Sequence, residues 1–225
     1  MKNWSIFLLA VLAMPLSSCT QSADLRFRIS VTIDDKGESR TFSRVWRFQL
    51  NEAPVPLAAP YSGQFTGEAV AMELAGRPTL YALTVSSARG GSLATLPEIL
   101  FNPLVSGSVR RNDRIAMVRA ISNMRGESRD LRCEPPEATI CPRFVYLEDK
   151  NDPSTIHVVN PDDLPDIYKG AKIKRISVTI VNEKPEDSGV LVPAFQYSAR
   201  LSRWYRSLES NDLRNLRPEA FREGM

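Results

Sequence analysis

The chain has 225 residues, 43% of them hydrophobic and 24% charged, and these ordinary globular values exclude an intrinsically disordered chain. The formal net charge is only +3 and the arginines are scattered among acidic residues, so the charge does not indicate a nucleic-acid partner. The length suits one sizeable core or two small ones, and we expect one domain.

The N-terminus has the pattern of a secretory signal peptide, which we place at residues 1–18. Lys2 supplies the positive end, and the apolar run over residues 6–14 is too short to span a bilayer, since a spanning helix needs about 20 apolar residues. The sequence Leu-Ser-Ser-Cys at residues 16–19 resembles the lipobox of bacterial lipoproteins, in which the cysteine thiol is acylated and the peptide is cut just before it. The resemblance implies that Cys19 carries a lipid such as palmitate. The alternative is an ordinary secretory signal with an incidental cysteine.

The lipobox resemblance also implies a compartment. A lipid on Cys19 would anchor the mature chain to a bacterial membrane, with its folded part facing the periplasm. In typical Gram-negative lipoproteins aspartate after the cysteine favours the inner membrane, and here Thr20 follows, which favours the outer membrane. We therefore expect a lipidated cysteine and short tether at residues 19–24, a single globular domain at residues 25–209 and a flexible tail at residues 210–225.

Two predicted hairpins indicate an antiparallel sheet. Residues 25–33 alternate apolar and polar side chains, which is the period of a half-buried strand, and turn residues then lead into a second strand. A loop with three prolines covers residues 53–63. Residues 65–74 and 79–86 follow as the second hairpin.

Two helices are predicted in the middle of the chain. The first runs over about residues 95–101 and ends at Asn102 and Pro103. In the second, residues 112–124, apolar side chains recur every three residues and predict one buried stripe. We expect the arginines near this helix to lie on solvated faces, with an acidic partner or anionic lipid headgroups as the alternatives. These arginines are Arg110, Arg111, Arg114 and Arg119.

The rest of the chain predicts short strands, a helical turn and a closing helix. The strands are predicted at residues 143–148, 155–159 and 173–181, and the helical turn at residues 164–168. Near the end, Trp204 and Tyr205 belong to a run of helical spacing, which predicts a C-terminal helix packed on the sheet. The fold class is therefore α+β, a mainly antiparallel β-sheet with about three helices, including the C-terminal one.

The chain has three cysteines, and with Cys19 lipidated Cys133 and Cys141 remain as an even pair in an oxidising compartment. We expect them to form a disulfide across a proline-rich loop, which contributes about 2–3 kcal/mol of stability. The alternative is a metal pair. It is disfavoured because the single histidine lies well away in sequence and no Cys-x-x-Cys motif is present.

Three further stretches carry a second resemblance. They read Phe-Arg-Ile-Ser-Val-Thr at residues 27–32, Gly-Glu-Ala-Val-Ala-Met-Glu-Leu at residues 67–74, and Asp-Pro at residues 152–153 through Asn-Pro-Asp-Asp-Leu at residues 160–164. Together they resemble a family of uncharacterised proteobacterial envelope lipoproteins. The resemblance implies no activity, so it assigns no functional residue.

Nucleophilic catalysis would have to use His157, with Ser154 as nucleophile and Asp152 or Asp149 as the acid. On a strand, residues 154 and 157 point to opposite faces, and the chain lacks a Gly-x-Ser-x-Gly elbow. We therefore assign no catalytic residue and interpret His157 as a polar strand residue.

Acidic and amide side chains are concentrated around two turns, which raises the possibility of a calcium site. The turn at residues 149–153 lacks the glycine and the terminal glutamate of an EF-hand loop, so we assign no metal and no cofactor. A pair of carboxylates suited to glycoside hydrolysis stays open, because separation in space cannot be read from sequence. The side chains considered for calcium are Glu148, Asp149, Asn151, Asp152, Asp162, Asp163 and Asp166.

Aromatic side chains are the last candidate for a binding surface. Trp46 lies on a predicted strand, and Trp204 with Tyr205 on the predicted C-terminal helix. Their spacing favours core packing, with a sugar-stacking or protein-binding surface as the alternative.

These patterns predict a lipid-anchored cell-envelope protein with a non-enzymatic binding or structural role facing the periplasm. Its partners would be the membrane, through the lipid on Cys19, and an envelope protein. The alternative is a small envelope hydrolase that acts on peptidoglycan or a glycan through carboxylates.

Overall fold

The structure is a computed structural model, and it describes residues 21–53, 60–87, 91–110, 112–133, 140–149, 152–185 and 222–223. Several predictions lie outside these residues. They are the signal peptide, the lipid on Cys19, the loop at residues 134–139, the C-terminal helix with Trp204 and Tyr205, and most of the tail.

The described residues form two antiparallel sheets and three α-helices. The first sheet has six strands, here given in spatial order: β10 (Arg222–Glu223), β3 (Tyr61–Glu68), β2 (Glu38–Glu52), β1 (Ser22–Asp35), β9 (Lys172–Ile180) and β6 (Ser128–Asp130). The second sheet has four strands: β4 (Val70–Met72), β5 (Leu80–Ser86), β7 (Pro142–Leu147) and β8 (Ile156–Val159). The helices are α1 (Leu96–Val105), α2 (Arg114–Ser122) and α3 (Leu164–Ile167). The predicted α+β class with mainly antiparallel sheets is confirmed.

The β1–β2 hairpin is the longest feature of the fold. Odd-numbered residues of β1 from Ala23 to Ile33 are buried, and even-numbered ones are half-buried, as the alternation predicts. The two-residue turn is Lys36-Gly37, and both residues have positive φ (56° and 90°), which matches the twist of the flanking strands. The 14 residues of β1 extend for about 43 Å at the usual rise per strand residue.

The predicted strand over residues 65–74 is wrong as one element, because the chain changes sheets at Ala69. Tyr61–Glu68 pairs with β2 in the first sheet, whereas Val70–Met72 pairs with β5 in the second. The buried positions change from odd to even numbers at this point, from Phe65 to Val70. The second predicted hairpin is nevertheless present, because β4 pairs antiparallel with β5. The proline-containing loop is shorter than predicted, since β3 already begins at Tyr61.

Helix α1 runs past the predicted stop at Asn102 and Pro103. Phe101 and Val105 are buried four residues apart, so core packing holds the last turn although Pro103 cannot donate a backbone hydrogen bond. Helix α2 begins as predicted near residue 112, with the Asp113 side chain accepting a hydrogen bond from the Ala116 N–H at 2.8 Å. The predicted stripe of Ile115, Val118 and Ile121 is buried.

Trp46 lies in the core. Its ring meets Phe27 and Phe65 edge-on, at centroid distances of 5.8 and 5.6 Å, and its indole N–H donates to the Glu68 carbonyl at 2.7 Å. Gly67 faces the indole so closely that a Cβ there would sit 2.6 Å from Cδ1. Trp46 therefore belongs to the core, the alternative that its spacing favoured, and is not part of a binding surface.

Candidate binding groove at the disulfide

The predicted disulfide is present. Cys133 and Cys141 are bonded, with their Cα atoms 5.5 Å apart. Cys133 follows β6 at the edge of the first sheet, and Cys141 precedes β7 in the second sheet. The disulfide therefore joins the two sheets covalently.

Backbone hydrogen bonds hold both ends of the disulfide. The Leu131 N–H donates to the Ile176 carbonyl at 2.9 Å, which continues the pairing with β9. The Ser87 N–H donates to the Cys141 carbonyl at 2.7 Å, which fixes the chain after β5 to the start of β7. The disulfide thus sits between two segments that are already ordered by their own sheets.

Two cavities flank the disulfide, and together they form what we call the disulfide groove. One has a volume of about 460 Å³ and lies between residues 130–133 and residues 173–176 of β9. The other has a volume of about 440 Å³ and lies between the start of β7 and residues 158–163. Three residues line both cavities: Cys133, Pro161 and Asp162. The groove therefore runs along the line where the edges of the two sheets approach each other.

Charged side chains of both signs line the groove. Arg175 donates from Nε to Asp130 Oδ1 at 2.6 Å, and both side chains are 56% exposed. Asp163 accepts a hydrogen bond from the Asn160 side-chain amide at 3.0 Å. Arg132 and Lys174 are exposed beside them. Such a surface offers donors and acceptors to a polar partner rather than a pocket for one small anion.

Arg143 is the one buried cation of the groove. It is 7% exposed, and its Nη2 donates to the Ser87 carbonyl at 2.7 Å. This bond crosses from β7 to the end of β5. Sequence reasoning read Arg143 only as a strand residue, and nothing in the local pattern indicates its burial.

His157 does not meet Ser154 in a catalytic arrangement. Its Nε2 lies 3.0 Å from Glu148 Oε1, and its ring stacks on Tyr146 at a centroid distance of 4.9 Å. The Ser154 hydroxyl donates instead to Asp152 Oδ1 at 2.7 Å. The cross-strand neighbours of His157, rather than a nucleophile, therefore explain its position.

Among the acidic residues considered for calcium, Asp149 and Asp152 take part in the turn before β8. Asp152 accepts from the Ser154 N–H at 2.9 Å, and the Thr155 hydroxyl donates to the Asp152 and Asp149 carbonyls. Asp162 and Asp163 line the groove, and Asn151 lies outside the described residues. Within the described part of the chain, no three side chains of His, Cys, Asp or Glu come together as metal ligands.

Two of the arginines that were predicted to lie on solvated faces make hydrogen bonds to other parts of the fold. Arg114 makes two hydrogen bonds to the Glu98 carboxylate, at 2.8 and 2.7 Å, and these bonds raise the pKa of its guanidinium. Arg119 donates from Nε and Nη2 to the Ser22 carbonyl, at 3.0 and 2.8 Å. Both contacts join different elements of the fold, 16 and 97 residues apart in sequence, which spacing within a helix cannot reveal.

Comparison with protein-family models, with curated proteins and with solved structures finds no match for this chain. Among the residues that the structure describes, no helix is both long and apolar enough to cross a membrane.

Proposed function

We propose that this protein is a lipid-anchored envelope protein that acts by binding, and that the disulfide groove is its contact surface for a periplasmic partner. The observation that carries the proposal is the Cys133–Cys141 disulfide, which holds two sheet edges at a fixed spacing beside an open, polar groove. A disulfide persists in an oxidising compartment, and that compartment is the one implied by the lipobox at Cys19.

The position of the groove along β1 supports this role. Ile176, which lines the groove, is paired with Val31 on β1, nine residues after Ser22. At the rise of a strand, this places the groove about 30 Å from the end of the sheet that follows Cys19. A partner approaching from the periplasm therefore meets the groove away from the anchor.

The chemistry of the groove favours contact over turnover. Asp130 is occupied by Arg175, and Asp163 by Asn160. Surfaces of this mixed polarity, with an exposed charged rim around buried apolar residues such as Leu131 and Ile176, are usual at non-obligate protein interfaces. The alternative hypothesis, a small hydrolase of peptidoglycan or a glycan, would need one carboxylate held protonated opposite another.

In-cell photo-crosslinking tests the proposal. A photo-crosslinking amino acid at Asp162, exposed in the groove, should give one discrete protein adduct, whereas the same group at exposed Gln64 on β3 should not. Lys174→Glu should reduce the adduct at position 162, because it reverses a charge of the same groove. Cys19→Ser should release the protein from the membrane fraction.

Two results would overturn the proposal. One is an equal crosslinking pattern at positions 162 and 64 that Lys174→Glu does not change. The other is turnover of peptidoglycan by the purified full-length protein, which would favour the hydrolase.

A further inference from the structure

We infer that the end of the first sheet where β1 begins, β2 ends and β3 begins is seated directly on the phospholipid headgroups. We call this surface the anchor end, and it is built by Gln21, Ser22, Glu52, Tyr61 and Arg119. The inference rests on the proposed lipidation of Cys19 and adds to it a fixed orientation of the domain on the membrane.

Only a short length of chain separates the lipid from the fold. The Gln21 carbonyl accepts a hydrogen bond from the Glu52 N–H at 2.8 Å, and the Gln21 N–H donates to Glu52 Oε2 at 3.4 Å. The fold therefore holds the chain from Gln21 onward, three residues before the end of the predicted tether. Only Thr20 separates Gln21 from Cys19, and two residues extend for at most about 7 Å.

Helix α2 also contacts Ser22, the first residue of β1. Arg119 donates two hydrogen bonds to the Ser22 carbonyl, at 3.0 and 2.8 Å, while its side chain stays exposed. Gln21 and Ser22 are thus fixed to a helix as well as to a strand. The same guanidinium lies beside the lipidated terminus, where a cation suits the phosphate layer.

A tyrosine also lies at the anchor end, and the gap between this end and the bilayer is small. Tyr61 is paired with Glu52, so it lies at the same end, half-buried, with its hydroxyl donating to the Asn112 carbonyl at 3.4 Å. Tyrosine is favoured at the headgroup level of membranes. A gap of about 7 Å leaves no space for a protein domain between this end and the bilayer, so the headgroup layer is its occupant.

The short tether, more than charge, determines how the anchor end is oriented on the membrane. Glu52 is exposed among the same residues as Arg119, so the anchor end has no strong net charge. We therefore expect the same orientation on vesicles of pure phosphatidylcholine and on vesicles that also contain phosphatidylglycerol.

Site-specific fluorescence of the lipidated full-length protein tests the orientation. With Cys19 acylated and Cys133 bonded to Cys141, an introduced cysteine is the single free thiol. A dye on Ser62→Cys, exposed near the anchor end, should be quenched several-fold more by a headgroup-attached acceptor than a dye on Ser39→Cys. Ser39 is exposed at the opposite end of the hairpin, about 40 Å away along the strands.

A linker variant gives the matched control. Ten flexible Gly/Ser residues inserted between Thr20 and Gln21 should make the quenching at positions 62 and 39 nearly equal, since the domain can then tumble.

The outcomes separate this inference from the proposed function. Protein that floats with phosphatidylcholine vesicles but shows equal quenching at both positions, without the linker, overturns the orientation alone. Protein that does not float and carries no acyl group overturns the lipid anchor and the orientation with it.

Discussion

The two ends of the first sheet are held by different kinds of bond. At the anchor end, hydrogen bonds from Glu52 and Arg119 fix Gln21 and Ser22. Towards the opposite end of β1, near Val31, lies the disulfide groove, and we call this the groove end; there a covalent disulfide joins the edges of two sheets. The difference follows from what each end has to do. The anchor end needs only to continue one strand, whereas the groove end must keep two separate sheets at a fixed spacing.

The largest effect on stability is expected from removal of the disulfide. The double variant Cys133→Ala/Cys141→Ala should lower the free energy of unfolding by about 2–3 kcal/mol, because the unfolded chain regains the freedom of the open loop. Denaturant unfolding measures this change. Hydrogen exchange should rise at residues 128–133 and stay unchanged at residues 21–25.

Treatment of the wild type with reductant is the control, and it should reproduce the variant. An equal loss of hydrogen-exchange protection at residues 128–133 and at residues 21–25 would contradict the conclusion that different bonds hold the two ends.

The next effect is a loss of stability at alkaline pH through Tyr168, which is buried directly after α3. Burial, followed by the nearby Tyr146 and Tyr81 hydroxyls, raises the pKa of Tyr168 well above its ordinary value of 10.0. Since the folded state keeps the proton that the unfolded state releases, stability is fully present below pH 10 and falls as the pH rises towards the folded pKa. Each pH unit above 10 should cost about 1.4 kcal/mol for this group.

Tyr168→Phe is the control for the alkaline loss. It deletes the hydroxyl that donates to the Pro78 carbonyl at 3.1 Å, so it should cost about 1 kcal/mol at pH 7 while flattening the decline above pH 10. Thermal melts from pH 7 to pH 11 measure both effects. A variant that declines as steeply as the wild type would remove Tyr168 from the explanation.

The smallest effect is expected at the anchor end. Arg119→Gln should lower the free energy of unfolding by about 1 kcal/mol, because the two bonds to the Ser22 carbonyl are exposed to water. Hydrogen exchange should increase at residues 21–25 only. Arg129→Gln, an exposed arginine on β6, is the matched control, and an Arg119 variant indistinguishable from it would contradict the role of this side chain.

Local patterns predict the hairpin, α2 and the disulfide because each depends on residues close together in sequence. The alternation of β1, the stripe of α2 and the pairing of Cys133 with Cys141 are all visible in the chain itself. Local patterns fail where a tertiary contact decides. Packing of Phe101 and Val105 carries α1 through Pro103, and the chain changes sheets at Ala69 within what looks like one strand.

The groove could not be predicted for the same reason. Its lining comes from segments around residues 87, 131, 143, 161 and 174, which only the tertiary fold brings together. The burial of Arg143 depends on the Ser87 carbonyl, 56 residues away. In the sequence, only the two cysteines and the acidic pair Asp162 and Asp163 drew attention to this region.

The lipid on Cys19 is the central claim, and the mass of the detergent-extracted full-length protein tests it most directly. The account predicts a chain that begins at acylated Cys19 and gains the mass of two hydrogens when one disulfide is reduced. A mass without acyl groups, or a chain that still carries the first 18 residues, would contradict the claim.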